Sequence, residues 1–326
     1  MSLRSVLLAQ PMTLGQVLEN AKLADRLGYD RVWIAETTGP DAFTAATLVA
    51  NMTKKVEIGT AILPVFTRSA AVLAMSAASV SFYSKRNFNL GVGSGGQLAV
   101  ENWHGADFVK PVSRVKETVQ VVRQVLDGTK TGFKGELLSS SGFTLGITGP
   151  YCVRVYVGGL GPQMTQMAKK YADGIILTWI PLERIGEFSD SYTDESLDVK
   201  SNSQTLDLVF RLLVAVTDDV KSARECLRGV LPFYMAVPGY AKFFQSLGFE
   251  DEIEYFRKGF VVGDRDATRR SISDRMLDSL LLAGSADFCR RRLNEIDGSR
   301  VGDLMIAPFM EMGDRVVYDT VSACRP

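Results

Sequence analysis

The sequence predicts an α/β chain folded as a (β/α)₈ TIM barrel with insertions, and three observations carry that expectation. Eight short runs rich in Val, Ile and Leu recur along the chain, the pattern of parallel strands buried on both faces. Longer segments with apolar residues at helical spacing separate them, which is the alternation of a βαβ series. No G-x-G-x-x-G opens the first of those helices, so an open dinucleotide-binding sheet lacks its usual signature.

The strand runs span 5–9 (SVLLA), 31–36 (RVWIAE), 56–63, 88–93, 153–159, 174–179, 206–217 and 303–309. Between the first two, Val17, Leu18, Ala21, Ala24 and Leu27 repeat at helical spacing, and Gly28 is placed to end the helix. Further helices are expected over 41–52, 69–83, 113–126 and 163–172. Two stretches exceed simple connections: 128–150 reads as a small β excursion, and 230–283 as several consecutive helices. Segments that long tend to be functional or interfacial. With no internal repeat, low-complexity tract or Pro-rich linker, residues 1–326 are expected to form one domain.

Composition narrows the partners. Apolar residues at 46% and charged residues at 23% match ordinary globular usage and suffice for a full core. Lys plus Arg equals Asp plus Glu at 37 each, so the net charge draws in neither nucleic acid nor an anionic membrane, and a small-molecule substrate is expected. No apolar run approaches a membrane span of roughly 18 residues and no leader cleavage pattern is present, which points to the cytoplasm. Cys152, Cys226, Cys289 and Cys324 are scattered and His104 is the sole histidine, so no metal site and no disulfide framework are expected.

A (β/α)₈ barrel keeps its active site at the carboxyl ends of its strands. Four clusters fall there: Glu36 after the second strand; Ala61, Ile62, Leu63 and Pro64 after the third; Gly93, Ser94, Gly95 and Gly96 after the fourth; and Gly158, Gly159, Leu160, Gly161 and Pro162 after the fifth. The last cluster reads either as an anion site, in which glycine N–H groups meet a ligand at a helix N-terminus, or as a tight β-to-α turn. The Gly93–Gly96 run either approaches a ligand, with the Ser94 hydroxyl as donor, or relieves crowding between strands. Glu36 is placed either to orient a cofactor or substrate or to accept from neighbouring backbone N–H groups. His104, beside Trp103, is either a proton donor at the mouth or a packed structural residue. Trp179, at the end of the sixth strand, either walls a planar ring or plugs the rim.

Taken in order, LADRLGYDRVWIAE (23–36), DAFTAATLVANMTKKVEIGTAILPVFTRS (41–69), LGVGSG (90–95), VYVGGLGPQM (155–164), ADGIILTW (172–179), FYMAVPGYAKFFQSLGF (233–249) and LAGSADFCRRRL (282–293) resemble the luciferase-like flavin and deazaflavin oxidoreductases, in particular the branch that uses coenzyme F-420. The resemblance implies a deazaflavin lying across the strand ends, with Ser94, Gly95, Gly96 and Trp179 among its contacts and its phosphate near Gly158 to Pro162. It also implies a non-prolyl cis peptide at Ala61–Ile62, against the cofactor ring, and hydride transfer at C5 of the deazaflavin with the protein supplying orientation. Dehydrogenase members commonly carry a histidine just after the strand-two carboxylate, whereas Thr37 stands here. That departure leans towards a reductase such as the one acting on methylenetetrahydromethanopterin, with Glu36 and His104 as candidate catalytic groups. An FMN-dependent monooxygenase is the alternative on the same barrel, and a flavin-binding barrel without catalysis is a third reading. The resemblance further implies a homodimer or higher homo-oligomer paired through the helices beside strands two and three, where Ala42, Phe43, Ala45, Ala46, Val49 and Ala50 offer small apolar faces.

Overall fold

Every one of the eight apolar runs becomes a parallel strand in the computed structural model, which describes residues 2–9, 11–193, 206–297 and 302–326. They are β1 (Leu3–Leu8), β2 (Arg31–Ile34), β3 (Glu57–Thr60), β4 (Phe88–Gly93), β5 (Val153–Gly158), β6 (Gly174–Thr178), β7 (Asp207–Val216) and β8 (Asp303–Pro308). Each pairs with the next, and β8 pairs with β1 through Leu3 to Val6, so the ring closes without an edge. The runs overreach at their ends: Glu36 and Trp179 lie just past their strands, where the chain turns outward at the mouth.

Two short strands extend the ring. Leu63–Pro64 continues the strand-three run beside the top of β4. Leu281–Gly284 runs parallel to Leu213–Val216, so one edge of β7 is shared between β6 below and this strand above. The sequence places residues 281–283 in the helical stretch, and the structure corrects that: these residues take over the edge of β7 where β6 ends.

The helices form where expected and are capped by the residues that flank them. Helix α1 (Leu14–Leu27) starts with a reciprocal capping box between Thr13 and Gln16, and ends on Gly28 at φ 85°, a conformation that glycine adopts without strain. Helices α2 (Ala42–Met52) and α3 (Ala70–Ser84) are capped by Asp41 and Ser69. After α4 (Pro111–Leu126), residues 132–134 and 139–141 form the antiparallel hairpin of the β excursion, and Glu117 accepts from the backbone N–H groups of Glu136, Leu137 and Leu138 at 2.8–2.9 Å to hold it. Helices α5 (Pro162–Tyr171) and α6 (Ile185–Thr193) follow. The long insertion carries the end of α7 (Val220–Met235) and then α8 (Pro238–Ser246), α9 (Glu250–Val261), α10 (Arg265–Arg270) and α11 (Asp274–Leu280), before α12 (Ala286–Asp297) and α13 (Asp314–Ala323) complete the outer layer. No helix among the described residues is long and apolar enough to cross a membrane.

The barrel is closed at its amino end by a polar floor. Arg31, only 3% exposed, reaches Asp207 at 2.9 Å, Asp303 at 3.2 Å and Glu57 at 3.3 Å. Ser5 donates to Asp303 at 2.7 Å, the Trp33 indole donates to Ser5 at 3.0 Å, and the Tyr156 hydroxyl donates to Asp207 at 2.7 Å. Four strands thus meet at one guanidinium and two more join through Ser5 and Tyr156, which leaves the opposite end of the barrel as the place for a ligand.

Candidate active site

At the end of β3 the Ala61–Ile62 peptide is cis, as the family resemblance implies. The Ile62 side chain lies across the ends of β4 and β5. A Cβ added to Gly158 would stand 2.9 Å from Ile62 Cγ2, and one added to Gly93 would stand 3.1 Å from Ile62 Cδ1. Glycine at both strand ends therefore makes room for an apolar platform inside the mouth. Beyond β4, Gly95 has φ 69° and Gly96 is exposed with open space around it, while the Ser94 hydroxyl donates to the Gly95 carbonyl at 3.2 Å.

The strand-five cluster divides. Gly159 does not offer its N–H to a ligand, because that group donates to the Ile176 carbonyl at 3.2 Å, and its missing side chain accommodates Met164 of α5, whose Cγ would stand 2.5 Å from a Cβ. Gly161 is different. It caps α5 at φ 82° and ψ 167°, no side chain caps the helix, Pro162 occupies the first turn, and nothing lies within 4 Å of where its Cβ would be. The N–H groups of the first turn, Gln163 and Met164, have no partner within the helix and sit at the positive end of its dipole, with half-buried Leu160 beside them. The uncapped helix start thus lies at Gly161, two residues later than the paired glycines suggest.

Glu36 is committed to the scaffold. Its carboxylate accepts from both terminal nitrogens of Arg68 at 2.5 and 2.8 Å and from the Ala42 N–H at 2.9 Å, and Arg68 also pairs with Asp41. Bonding to Glu36 holds the Arg68 guanidinium above its ordinary pKa. Of the two readings open for Glu36, the structure supports the carboxylate that accepts from backbone N–H. Arg68 was not foreseen, although it is the lone charged residue between Glu57 and Lys85.

His104 follows a π-helical turn, Ala99–Trp103, and is exposed, as is Trp103, so it is not the packed residue that its neighbour suggests. Trp179 has φ 62° and is 4% exposed, packed edge-on against Tyr234 at 4.7 Å and Phe244 at 6.1 Å from the insertion helices. Among the described residues, no group of three His, Cys, Asp or Glu is arranged to hold a metal ion.

Fold and site together define a (β/α)₈ barrel whose mouth joins an apolar platform to an open helix N-terminus. The luciferase-like monooxygenase family model matches residues 2–301, and the chain belongs to that family. It is 26% identical over 286 residues to a 5,10-methylenetetrahydromethanopterin reductase of Archaeoglobus fulgidus, covering 86% of this chain and 85% of that protein. It is 29% identical over 192 residues to a coenzyme F-420-dependent glucose-6-phosphate dehydrogenase of Amycolatopsis mediterranei, covering 55% and 56%. Among solved structures, the coenzyme F-420-dependent tetrahydromethanopterin reductase of Methanopyrus kandleri matches with a TM-score of 0.78 at 17% identity, over 99% of this chain and 98% of that one, which establishes the fold.

Proposed function

We propose that this chain is a cytoplasmic, single-domain oxidoreductase that uses coenzyme F-420 to move a hydride to or from a small organic substrate, in the manner of a reductase of the methylenetetrahydromethanopterin type. The observation that carries the reading is the Ile62 platform over Gly93 and Gly158, set next to the uncapped start of α5. A flat ring needs an apolar wall and a phosphate needs unpartnered N–H donors, and the mouth supplies both. The glucose-6-phosphate dehydrogenase relative and the tetrahydromethanopterin reductase structure are named for different substrates and for the same coenzyme F-420, which supports that cofactor. Ala61 and Ile62 would hold the ring, Gly161, Pro162 and the first turn of α5 the phosphate, and Ser94 to Gly96 the rim. When bound, the deazaflavin carries the hydride, and the protein's part is to orient and to exclude water. Glu36 acts through the scaffold, since both its oxygens accept from Arg68.

The family name keeps the FMN monooxygenase in view as a second reading. Supplied with reduced FMN and air, the protein should consume oxygen no faster than reduced FMN alone. Coupled oxygen consumption that depends on the protein and on an added organic substrate would move the assignment to a monooxygenase.

The same reading includes a homodimer, through a face different from the one expected. Ala42, Phe43, Ala45, Ala46, Val49 and Ala50 are all buried in the chain's own core and cannot touch a partner. The outer face of α3 instead exposes Val72, Met75, Phe82 and Tyr83, with Met52 of α2 beside them, and neither helix contains a charged residue. An uncharged two-helix face of this kind is a candidate interface. Sedimentation at micromolar concentration should give twice the 35.7 kDa chain mass, and Met75→Glu should give the monomer with an unchanged circular dichroism spectrum. A wild-type monomer would end the claim.

A further inference from the structure

We propose that Arg211 and Trp179 form a paired-donor site for the carboxylate, or a similar planar oxyanion, of a substrate with a flat apolar body. The inference rests on the coenzyme F-420 reading only for what lies opposite this site. Arg211 stands on β7 two inward positions above Asp207, so its side chain enters the barrel near the mouth, where Nη1 donates to the Thr178 hydroxyl of β6 at 3.3 Å. Arg31 of the floor has three carboxylate partners, whereas Arg211 makes no ion pair among the described residues. Its Nε is buried and has no hydrogen-bond partner. The Trp179 Nε1, on a side chain 4% exposed, is likewise buried without an acceptor.

Two buried donors left unmatched side by side call for an explanation, because buried N–H groups in folded proteins are almost always paired. They belong to one locus: the Arg211 guanidinium lies 5.8 Å from the Trp179 ring centre. Both donors lack what an anion supplies, and a guanidinium offers a planar fork that matches a carboxylate. The surrounding walls select the rest of the ligand. Tyr234 and Phe244 pack on Trp179, and Tyr240 packs on Tyr234 at 5.1 Å, so aromatic rings flank the donors. Burial pushes the Tyr240 phenol up to about 12, so it remains neutral and brings no negative charge to compete with an anion. In the ring of eight strands β7 stands opposite β3, and Arg211 therefore faces the Ile62 platform across the mouth. A ring held against Ile62 would present its free face to this wall, which is where a substrate has to lie.

The probe is benzoate, with benzamide as its uncharged counterpart, titrated calorimetrically into the purified full-length protein with and without coenzyme F-420. Benzoate should bind at least tenfold more tightly than benzamide. Arg211→Gln should abolish the difference, and Trp179→Phe, which keeps a ring and removes the N–H, should weaken benzoate several-fold while leaving benzamide unchanged. Thermal melting of each variant checks that it is folded. The proposal is overturned if the wild type shows no saturable benzoate binding up to millimolar concentration, or if the preference survives Arg211→Gln. It is also overturned if Arg211→Gln leaves benzoate unchanged but weakens coenzyme F-420 tenfold, since the donors would then serve the cofactor. A protein that prefers benzoate through Arg211 but binds no coenzyme F-420 would keep this site and refute the proposed function.

Discussion

Replacing Arg31 by Met is expected to remove about 3–5 kcal/mol of folding free energy, the cost of leaving buried charges without their partner. Asp303 is fully buried and Asp207 partly so, and both rely on the one guanidinium that joins them to Glu57. Complete burial raises the Asp303 carboxyl to about 6, Arg31 pulls it down, and the nearby Asp207 pushes it up again. A carboxyl whose folded pKa lies above its unfolded value of 3.8 binds its proton more tightly in the folded state. Its contribution to stability is therefore present at low pH, falls as pH rises through about 4 to about 6, and is gone above. Without Arg31 the carboxyl titrates higher still, so the penalty of Arg31→Met should be larger at pH 8 than at pH 5.5. Adding Asp303→Asn to that variant should restore part of the loss at pH 8, because the stranded charge is gone. Urea denaturation at the two pH values measures both effects. A penalty below about 1 kcal/mol that does not change with pH would mean that water reaches the floor and screens it.

Coenzyme F-420 binding should fall at least tenfold, about 1.4 kcal/mol, in Gly161→Ala. At φ 82° and ψ 167° the residue occupies a region open essentially to glycine alone, so even a methyl group forces the turn to another conformation. The position itself has room, with nothing within 4 Å of the added carbon, so the change acts through the backbone that aims the α5 N–H groups. The strain adds about 1–3 kcal/mol to the folded state, which a barrel of this size withstands. Gly159 would make a poor companion test, since its Cβ strikes Met164 and would disturb strand-to-helix packing. A folded Gly161→Ala protein with parental affinity would reduce the strand-five loop to a turn and place the phosphate elsewhere.

The barrel was legible because its strands are buried on both faces, and uninterrupted apolar runs are what such strands require. The strand at Leu281–Gly284 was not, since LLLAG continues directly from the apolar residues of α11 and periodicity cannot divide a helix end from a short buried strand. The clustered glycines do lie at the ends of β4 and β5. They could not reveal that the Gly159 N–H is taken by Ile176, because that acceptor lies 17 residues on, across a β ladder. Arg31 and Arg211 looked incidental within apolar strands, yet an arginine inside a barrel strand must find a partner or await one, and that rule would have singled out both. The six residues expected at an intersubunit face are buried in the chain's own core instead. Small alanines let α2 approach the barrel wall, so they face inward, while the larger Val72, Met75 and Tyr83 remain outside.

A mouth built for a deazaflavin should show itself when the purified, cofactor-free protein is titrated in parallel with coenzyme F-420 and with FMN. Calorimetry should give a dissociation constant for coenzyme F-420 at least tenfold below that for FMN, a difference of about 1.4 kcal/mol or more. FMN bound as tightly as coenzyme F-420, or more tightly, would mean that the mouth is not built for a deazaflavin.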